Sequence, residues 1–342
     1  MSEVTTVGLD LAKNVFQVHG ADGAGHAVVR KKLRRAQVLE FFNQLPPCVV
    51  AMEACGGAHY WGREIGKLGH DVRLIPPAYV KPFVKRQKND AADAEAICEA
   101  AVRPSMRFVP VKSEEIQAAA MVFRVRELLI RQRTQIINAL RGHCTEFGVI
   151  APKGAMNAKK LIAAVEDEAS VLPQAARQVL EDFIGTLSDL EARIGKLDAE
   201  IRTRAQDNEM ARRLMTIPGI GPLIAMALVT LAPPADNFRR GRDFSAWLGL
   251  VPRQHSTGGK QRLGATTRMG ERSLRRLLII GANSVIIKRH VHRDAQPGTW
   301  LAALLSRKPT MLVRVALANK MARIVWALMA KSGVYQSPIA TA

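Results

Sequence analysis

The sequence predicts a mixed fold, in which an α/β region at the amino-terminal end precedes regions that are wholly helical. Two observations carry this prediction. Short apolar runs rich in Val and Thr alternate with helix-forming segments over the first hundred residues, whereas long helical periods dominate the remainder. The chain has 342 residues, of which 48% are hydrophobic; this supports two or three buried cores and excludes general disorder.

In the amino-terminal region, three strands come first and helices then alternate with further strands. Strands are predicted at 4–10, 14–20, 27–33, 48–53 and 71–75, because each run is short, apolar and bounded by turn-forming residues. Helices are predicted at 36–45, 59–68 and 90–102, the last from the alanine-rich pattern DAADAEAICEAAV. The order β-β-β-α-β-α-β-α indicates one sheet that begins with antiparallel strands.

Two long helices follow. Ser113 is a suitable N-cap for a helix that runs to about residue 147, and a second long helix begins after Pro173. The second helix carries apolar residues at alternating spacings of three and four, which is the period of a coiled coil: Leu180, Phe183, Leu187, Leu190, Ile194, Leu197 and Ile201. This heptad seam packs either on the neighbouring long helix of the same chain or on another subunit.

These patterns divide the chain into three predicted regions. An α/β domain occupies 1–112, and a long-helix or coiled-coil arm occupies 113–206. A helical domain at 207–342 ends in helix over 300–332.

The charge of the chain indicates a polyanionic partner. There are 50 Lys and Arg against 30 Asp and Glu, and the formal charge of +20 attracts phosphate without sequence specificity. A basic ribosomal or membrane-surface protein would share this property. The longest apolar stretch, near 277–287, is too short to cross a bilayer, and no signal peptide opens the chain. Four cysteines without a CxxC pair favour a reduced, cytoplasmic protein with no membrane partner.

Four carboxylates stand at structurally meaningful places in this basic chain. Asp10 ends the first predicted strand, Glu53 ends a buried strand, and Asp90 and Asp93 share one face near the start of a helix. Such a group would repel itself unless hard divalent cations lay between the oxygens, and two such ions can promote phosphoryl transfer. The alternative is structural: Asp90 is the helix N-cap and Asp93 a partner of the helix dipole.

The segments that carry these acids are GLDLAKNVF, VVAMEACGGAHYW and KNDAADAEAI. Together they resemble the RuvC-like, ribonuclease-H-type domain of the DEDD recombinases of bacterial insertion sequences, the insertion-sequence 110 family and its 1111 subgroup. The resemblance implies that Asp10, Glu53, Asp90 and Asp93 are catalytic and hold one or two Mg²⁺ ions.

A second motif reads LMTIPGIGPLIAMAL over 214–228. Gly219 and Gly221 lie in a tight connection between two helical stretches, where backbone N–H groups can approach phosphate at a helix N-terminus. The motif resembles the helix-hairpin-helix of DNA-binding proteins. A structural hairpin without nucleic acid is the alternative.

The segment 239–276 contains ten Lys and Arg and two acids, and within it 253–264 is predicted to be a small, mobile loop that bears hydroxyl groups. The residues alone predict a phosphate-binding loop with four cations in or near it: Arg253, Lys260, Arg262 and Arg268. The resemblance adds a serine nucleophile that lies before a glycine and becomes linked to DNA. Alignment on the glycine selects Thr257, whereas residue type selects Ser256; we favour Ser256 and keep Thr257 as its rival.

The resemblance covers residues 4 to about 332 and predicts a site-specific DNA recombinase that mobilises an insertion sequence. It implies double-stranded DNA substrates, namely the element ends and a target, and a bridge-type guide RNA. We expect a bacterial, nucleoid-associated protein that forms a dimer or tetramer, with acids and serine meeting across subunits. Two alternatives stay open: a RuvC-like endonuclease that cuts branched DNA with metal-activated water, and a non-catalytic nucleic-acid-binding scaffold.

Overall fold

The computed structural model describes residues 3–85, 89–291 and 299–336. The chain forms two compact units, Met1–Gln117 and Ala118–Ala342. The three-region division with boundaries after 112 and 206 stays a prediction. In the described part of the chain, no helix combines the length and the apolar character that crossing a membrane requires.

The first unit is built on a five-stranded sheet in the order β3-β2-β1-β4-β5. Its strands are β1 (Thr6–Asp10), β2 (Val15–Ala21), β3 (Ala27–Arg34), β4 (Val49–Glu53) and β5 (Asp71–Ile75). The pairs β1–β2 and β2–β3 are antiparallel, whereas β1–β4 and β4–β5 are parallel. The predicted mixed sheet with an antiparallel start is confirmed.

Helices cover both faces of this sheet. They are α1 (Val38–Asn43), α2 (Ala58–Lys67), α3 (Pro77–Val80) and α4 (Asp90–Ala101). Alternation along β4 explains the two layers: Val50 and Met52 join the core that contains residues of α1 and α2, whereas Ala51 joins the core that contains α4. The strands β1 and β4 are therefore buried on both sides, as parallel strands at a sheet centre usually are.

A helical arm of three helices lies in the second unit, apart from the first four residues of its first helix: α5 (Glu114–Glu146), α6 (Ala158–Glu166) and α7 (Gln174–Asp207). The heptad seam of α7 packs within the chain. Leu190 and Ile194 join a core with Leu129 of α5, Leu187 joins Ile137, and Leu180 joins Leu140 and Leu161. Partners on α5 move toward its carboxyl end as positions on α7 move toward its amino end, so the two helices are antiparallel. The intramolecular alternative for the seam is the observed one.

Because the seam is buried within one chain, shortening it should weaken folding and leave subunit association unchanged. Leu187 is 2% exposed, and we expect Leu187→Ala to lower the free energy of unfolding. The expected loss is about 2–5 kcal/mol, the usual cost of truncating a buried leucine. Val179→Ala is the matched control on the same helix, since Val179 is 60% exposed. Thermal melting measures stability, and light scattering measures the molecular mass in solution. A Leu187→Ala protein of lower mass and unchanged stability would contradict the intramolecular packing.

The rest of the second unit surrounds its largest core. The elements are α8 (Glu209–Met215), α9 (Pro222–Leu231), α10 (Gly241–Trp247), β6 (Pro252–Gln254), β7 (Leu263–Thr266), α11 (Arg272–Val291), α12 (Trp300–Leu305) and α13 (Thr310–Ala330). Residues of α8, α9, α10, α11 and α13 share this core. The helix predicted over 300–332 is divided into α12 and α13 just before Pro309, which cannot continue a helix from within.

Candidate functional site

Two acids of the candidate site end neighbouring strands at the same edge of the sheet. Asp10 is the last residue of β1 and Glu53 the last residue of β4. The two strands are parallel, and their register pairs Leu9 with Met52, one residue before each acid. The hydrophobic strands therefore fix both carboxylates at the carboxyl edge, where sites form in sheets of this kind.

The other two acids come from the first turn of α4. Asn89 is the N-cap of this helix, and its side chain accepts a hydrogen bond from the Ala91 backbone N–H at 3.0 Å. The structural alternative in which Asp90 is the N-cap is therefore wrong. Asn89 caps the helix, so neither carboxylate is needed as a cap; both lie in the first turn, where the helix dipole also favours negative charge.

A glycine that sequence reasoning missed brings α4 onto the sheet. A Cβ on Gly8 would overlap the Ala94 carbonyl oxygen and would lie 2.6 Å from the Cys98 backbone nitrogen. Only glycine permits so close an approach of helix and strand. Its position two residues before Asp10 was the available signal, since a glycine inside a strand often marks a close backbone approach.

The result is a convergence of carboxylates. Oxygens of Asp10, Asp90 and Asp93 all lie within 4.8 Å of one another. Glu53 is outside this set of three, but its charge acts on Asp10, and the charge of Asp93 acts on Glu53. Burial, followed by the charges of Asp93, Asp90 and Glu53, raises the pKa of Asp10 to about 6. Burial and then Asp93 raise the pKa of Glu53 as well.

This donor set fits a hard divalent cation. Carboxylate oxygens are the ligands that Mg²⁺ prefers, and a cation between them would relieve the repulsion that raises the Asp10 pKa. Asp10, Asp90 and Asp93 would hold the ion, with Glu53 close enough to act on it electrostatically.

The raised pKa of Asp10 predicts a gain in stability when its charge is removed in metal-free protein. The folded state favours the neutral form of Asp10. Protonation of Asp10 therefore stabilises the folded protein fully below the ordinary pKa near 3.8, and this stabilisation is lost as pH rises through a pKa of about 6. Asp10→Asn resembles the neutral form. We expect it to raise the free energy of unfolding at pH 7.5 by roughly 1–2 kcal/mol, after allowing for partial exposure.

Denaturant melts in EDTA at pH 7.5 and pH 5 measure this effect, which should shrink at the lower pH. Added Mg²⁺ should then raise the melting temperature of the wild type more than that of Asp10→Asn. Asp71→Asn is the control, because Asp71 is exposed and pairs with Arg73 at 2.7 Å, so its removal gives no gain. An Asp10→Asn protein that is less stable at pH 7.5 would contradict the repulsion.

The segment predicted to be a mobile loop is a β-hairpin. Strands β6 and β7 pair, and the His255 backbone N–H donates to the Arg262 carbonyl at 2.8 Å. At the tip, Thr257 and Lys260 exchange backbone hydrogen bonds of 3.3 and 3.0 Å. Gly258 and Gly259 between them have φ of 53° and 75°, the left-handed values that a tight two-residue turn needs.

The hairpin presents both hydroxyl candidates at its exposed tip. Ser256 and Thr257 are exposed, and so are the four predicted phosphate-binding cations: Arg253, Lys260, Arg262 and Arg268. Arg268 has a φ of 56° and is the one non-glycine residue with positive φ in the described ranges. The arrangement can offer a hydroxyl and several cations to the same phosphate-bearing chain.

The 214–228 motif forms two helices with a tight connection, but its glycines have different surroundings. Gly219 has a φ of 88°, and a Cβ there would lie 2.6 Å from the Gly281 carbonyl oxygen of α11. Gly219 is therefore required for packing onto α11. Gly221, the N-cap of α9, has open space where a Cβ would be. Close approach to a phosphate is thus sterically open at Gly221.

Comparison with known proteins agrees with this architecture. A family model described as a transposase, the DEDD type of IS110, matches residues 7–148. A second model, described as the transposase IS116/IS110/IS902 family, matches residues 211–296. The first match spans all four acids, and the second spans the 214–228 motif and the β-hairpin.

Full-length relatives extend the match over nearly the whole chain. The "Probable family 20 transposase" of Pseudomonas aeruginosa is 51% identical over 97% of this chain and 99% of its own length. The transposase for insertion sequence element IS1328 of Yersinia enterocolitica is 41% identical over 98% of this chain and 99% of its own. The transposase for IS1111A of Coxiella burnetii is 38% identical, covering 98% and 92%.

Fold, acidic site and relatives together define a transposase, an enzyme that acts on DNA. The chain belongs to the IS116/IS110/IS902 family of insertion-sequence transposases.

Proposed function

We propose that this transposase is a recombinase that cuts and rejoins DNA strands through a serine nucleophile, assisted by Mg²⁺ at a ribonuclease-H-type, RuvC-like site. The observation that carries the proposal is the convergence of Asp10, Asp90 and Asp93 oxygens within 4.8 Å. Three carboxylates held together in a protein of charge +20 favour a catalytic cation site over a solvated surface.

The acids would hold the cation, and Glu53 would complete the DEDD set from the end of β4. Bound Mg²⁺ supplies Lewis-acid stabilisation of charge on a phosphate oxygen. The close packing of α4 on β1 at Gly8 holds three of the four carboxylates together. The raised pKa values of Asp10 and Glu53 indicate that this edge of the sheet favours neutralisation of its negative charge.

In the proposed cleavage step, the Ser256 hydroxyl oxygen forms a bond to a DNA phosphorus. The bridging P–O bond to the neighbouring nucleotide breaks, the serine proton is released to a base or water, and the leaving oxygen takes up a proton. One fragment of the strand is then joined to Ser256 as a phosphodiester, and the other fragment carries a free hydroxyl at the break. Attack by a strand-end hydroxyl reverses the step and restores a DNA phosphodiester.

Cations of the hairpin would stabilise the charge that develops on the attacked phosphate. Arg253, Lys260, Arg262 and Arg268 are exposed on or beside the hairpin, where they can contact phosphate. We favour Ser256 over Thr257 because its primary hydroxyl is less hindered and because Thr257 closes the turn through its backbone. The motif at 214–228 would act as a helix-hairpin-helix and hold duplex DNA at Gly221.

Guide RNA, self-association and assembly of acids and serine across subunits belong to the same proposal. A bridge-type RNA would choose the sites by base pairing, so the protein needs to read only backbone and shape. The excess of cations suits two polyanionic partners, and the arm of α5 and α7 would contribute to a dimer or tetramer through surfaces other than its buried seam.

The test is purification of the full chain from cells that carry its insertion sequence, followed by sequencing of bound RNA. We expect one RNA encoded next to the gene. The protein–RNA complex should recombine element-end and target duplexes with Mg²⁺ and should lose this activity after ribonuclease treatment. Cutting of branched DNA without RNA and without a covalent adduct would replace the proposal with a RuvC-like endonuclease.

Mixing two inactive variants tests the shared site. An Asp10→Asn chain and a Ser256→Ala chain should together recover part of the activity if acids and serine come from different subunits. Absence of any recovery in hetero-oligomers of confirmed composition would contradict assembly in trans and would favour one chain supplying both.

A further inference from the structure

A large groove in the second unit lies beside the base of the β-hairpin. Its volume is about 1370 Å³, which exceeds the ~300–1,000 Å³ of ordinary small-molecule pockets. Its lining includes the Gly264–Thr266 part of β7 as well as Arg240 and Arg242. One face of α13 also lines the groove, since its lining residues recur at helical spacing: Leu312, Val315, Ala316, Asn319, Arg323 and Ala327.

The charge of the groove is positive throughout its described lining. Five lining residues are cations, Arg240, Arg242, Arg268, Lys320 and Arg323, and the described lining includes neither Asp nor Glu. All five are exposed. Arg240 lies 3.7 Å from Asp243, which is outside the lining. Charge complementarity therefore favours a polyanion, and the size of the groove favours several phosphates over one.

An indole lies among these cations. Trp300 lines the groove and is 42% exposed, and the Lys320 ammonium lies 4.6 Å from the centre of its ring. By contrast, the indole N–H of Trp326 donates to the Ala235 carbonyl at 3.2 Å, and this side chain is partly buried. An exposed indole next to cations is the usual platform for a nucleic-acid base, with phosphates on the neighbouring charges.

The platform favours an unpaired strand. In a duplex the faces of the bases are covered by stacking, so an indole in a groove reaches a base face only on a strand that has left its partner. Strand exchange produces such a segment at the cut. The groove shares β7 with the hairpin that carries Ser256, so a strand in it would lie next to the element that presents the nucleophile.

We propose that this groove binds a short unpaired segment of the DNA strand undergoing exchange, with Trp300 stacking on a base and Arg242 and Arg323 contacting phosphates. This inference rests on the proposed function, because strand exchange supplies the occupant. The groove would keep the cut strand near Ser256 until the new partner hydroxyl attacks.

Binding of a fluorescent oligothymidylate of about eight nucleotides to the full chain tests the proposal, because aromatic and basic grooves bind roughly 4–16 nucleotides. Anisotropy gives the affinity for this probe and for a blunt duplex. Trp300→Leu should weaken oligothymidylate binding about tenfold, since stacking on one base has roughly that effect. Duplex binding should stay within twofold, and Trp300→Phe should retain most of the affinity for the single strand.

Charge variants provide a matched comparison. Arg242→Gln and Arg323→Gln should each weaken oligothymidylate binding several-fold and lower its salt slope by about 0.7. Arg239→Gln removes an exposed arginine of the same segment that does not line the groove and should have a smaller effect. Thermal melts identify any variant that is misfolded, and Trp300→Phe then decides whether stacking matters.

Several outcomes would overturn the proposal. If Trp300→Leu binds oligothymidylate as tightly as the wild type, Trp300 is not a stacking platform. If the variants lose equal affinity for the single strand and for the duplex, the groove is a general basic patch. Tighter, Trp300-dependent binding of an oligouridylate of the same length assigns the groove to RNA. If the wild type binds the DNA probe through Trp300 but does not recombine DNA, the proposed function is wrong and the binding of single strands by the groove stands. If the wild type recombines DNA but Trp300→Leu binds the probe normally, the inference about the groove is wrong and the proposed function stands.

Discussion

Replacing Ser256 with alanine should abolish the covalent protein–DNA product and lower strand cleavage by ~10³-fold or more, because it removes the oxygen that the proposed mechanism assigns as the nucleophile. The hydroxyl lies at the exposed tip of a hairpin whose backbone does not depend on that side chain, so folding should be unchanged. Denaturing gel electrophoresis of labelled DNA after reaction with Mg²⁺ measures the adduct. Binding of uncut DNA should remain near that of the wild type.

The neighbouring threonine is the matched control. Thr257→Val removes a hydroxyl one residue away while keeping the β-branched shape and the backbone bonds to Lys260. It should keep the adduct within a few-fold of the wild type. An adduct that survives in Ser256→Ala and disappears in Thr257→Val would transfer the nucleophilic role to Thr257. If both variants keep the adduct and the cleavage activity, neither hydroxyl is the nucleophile, and the hairpin is a phosphate-binding element.

Replacing Asp93 with asparagine should lower cleavage on the order of 10³-fold, since charge stabilisation by a catalytic cation amounts to several kcal/mol. Asp93 belongs to the three converging acids, and its charge acts on both Asp10 and Glu53. Its loss removes one negative charge from the acids that the proposal assigns to the cation. Cleavage assays over a range of Mg²⁺ concentrations measure the effect, and the metal requirement should move to higher concentration.

Glu99→Gln on α4 is the control for this change. Glu99 lies on the same helix but pairs with Arg103 at 2.5 Å, away from the three converging acids. It should retain cleavage close to wild type. If Asp93→Asn cleaves DNA as fast as the wild type, the proposed cation site is wrong, and so is the proposed catalytic role of the acids. EDTA should abolish cleavage by the wild type and leave DNA binding intact.

Most strands and helices can be predicted from the sequence because the hydrophobic patterns that specify them extend over only a few neighbouring residues. The short apolar run Val49–Glu53 and the alanine-rich Asp90–Ala101 fall within a residue or two of their predicted bounds. The hairpin was missed as regular structure because β6 and β7 are short, and only the glycine pair at its tip hinted at a turn. The partner of the heptad seam was undecidable, since an apolar stripe has the same spacing whichever helix covers it.

The sequence by itself determined the chemistry available to this protein. It supplies four acids on apolar or helix-forming segments, a hydroxyl pair beside two glycines, and a large excess of cations. Only the tertiary structure decided which of these groups meet. Convergence of Asp10, Asp90 and Asp93 depends on the close approach of α4 over Gly8, and the alignment of Asp10 with Glu53 depends on the register of β1 with β4. Both are contacts between distant segments, and a local pattern encodes neither.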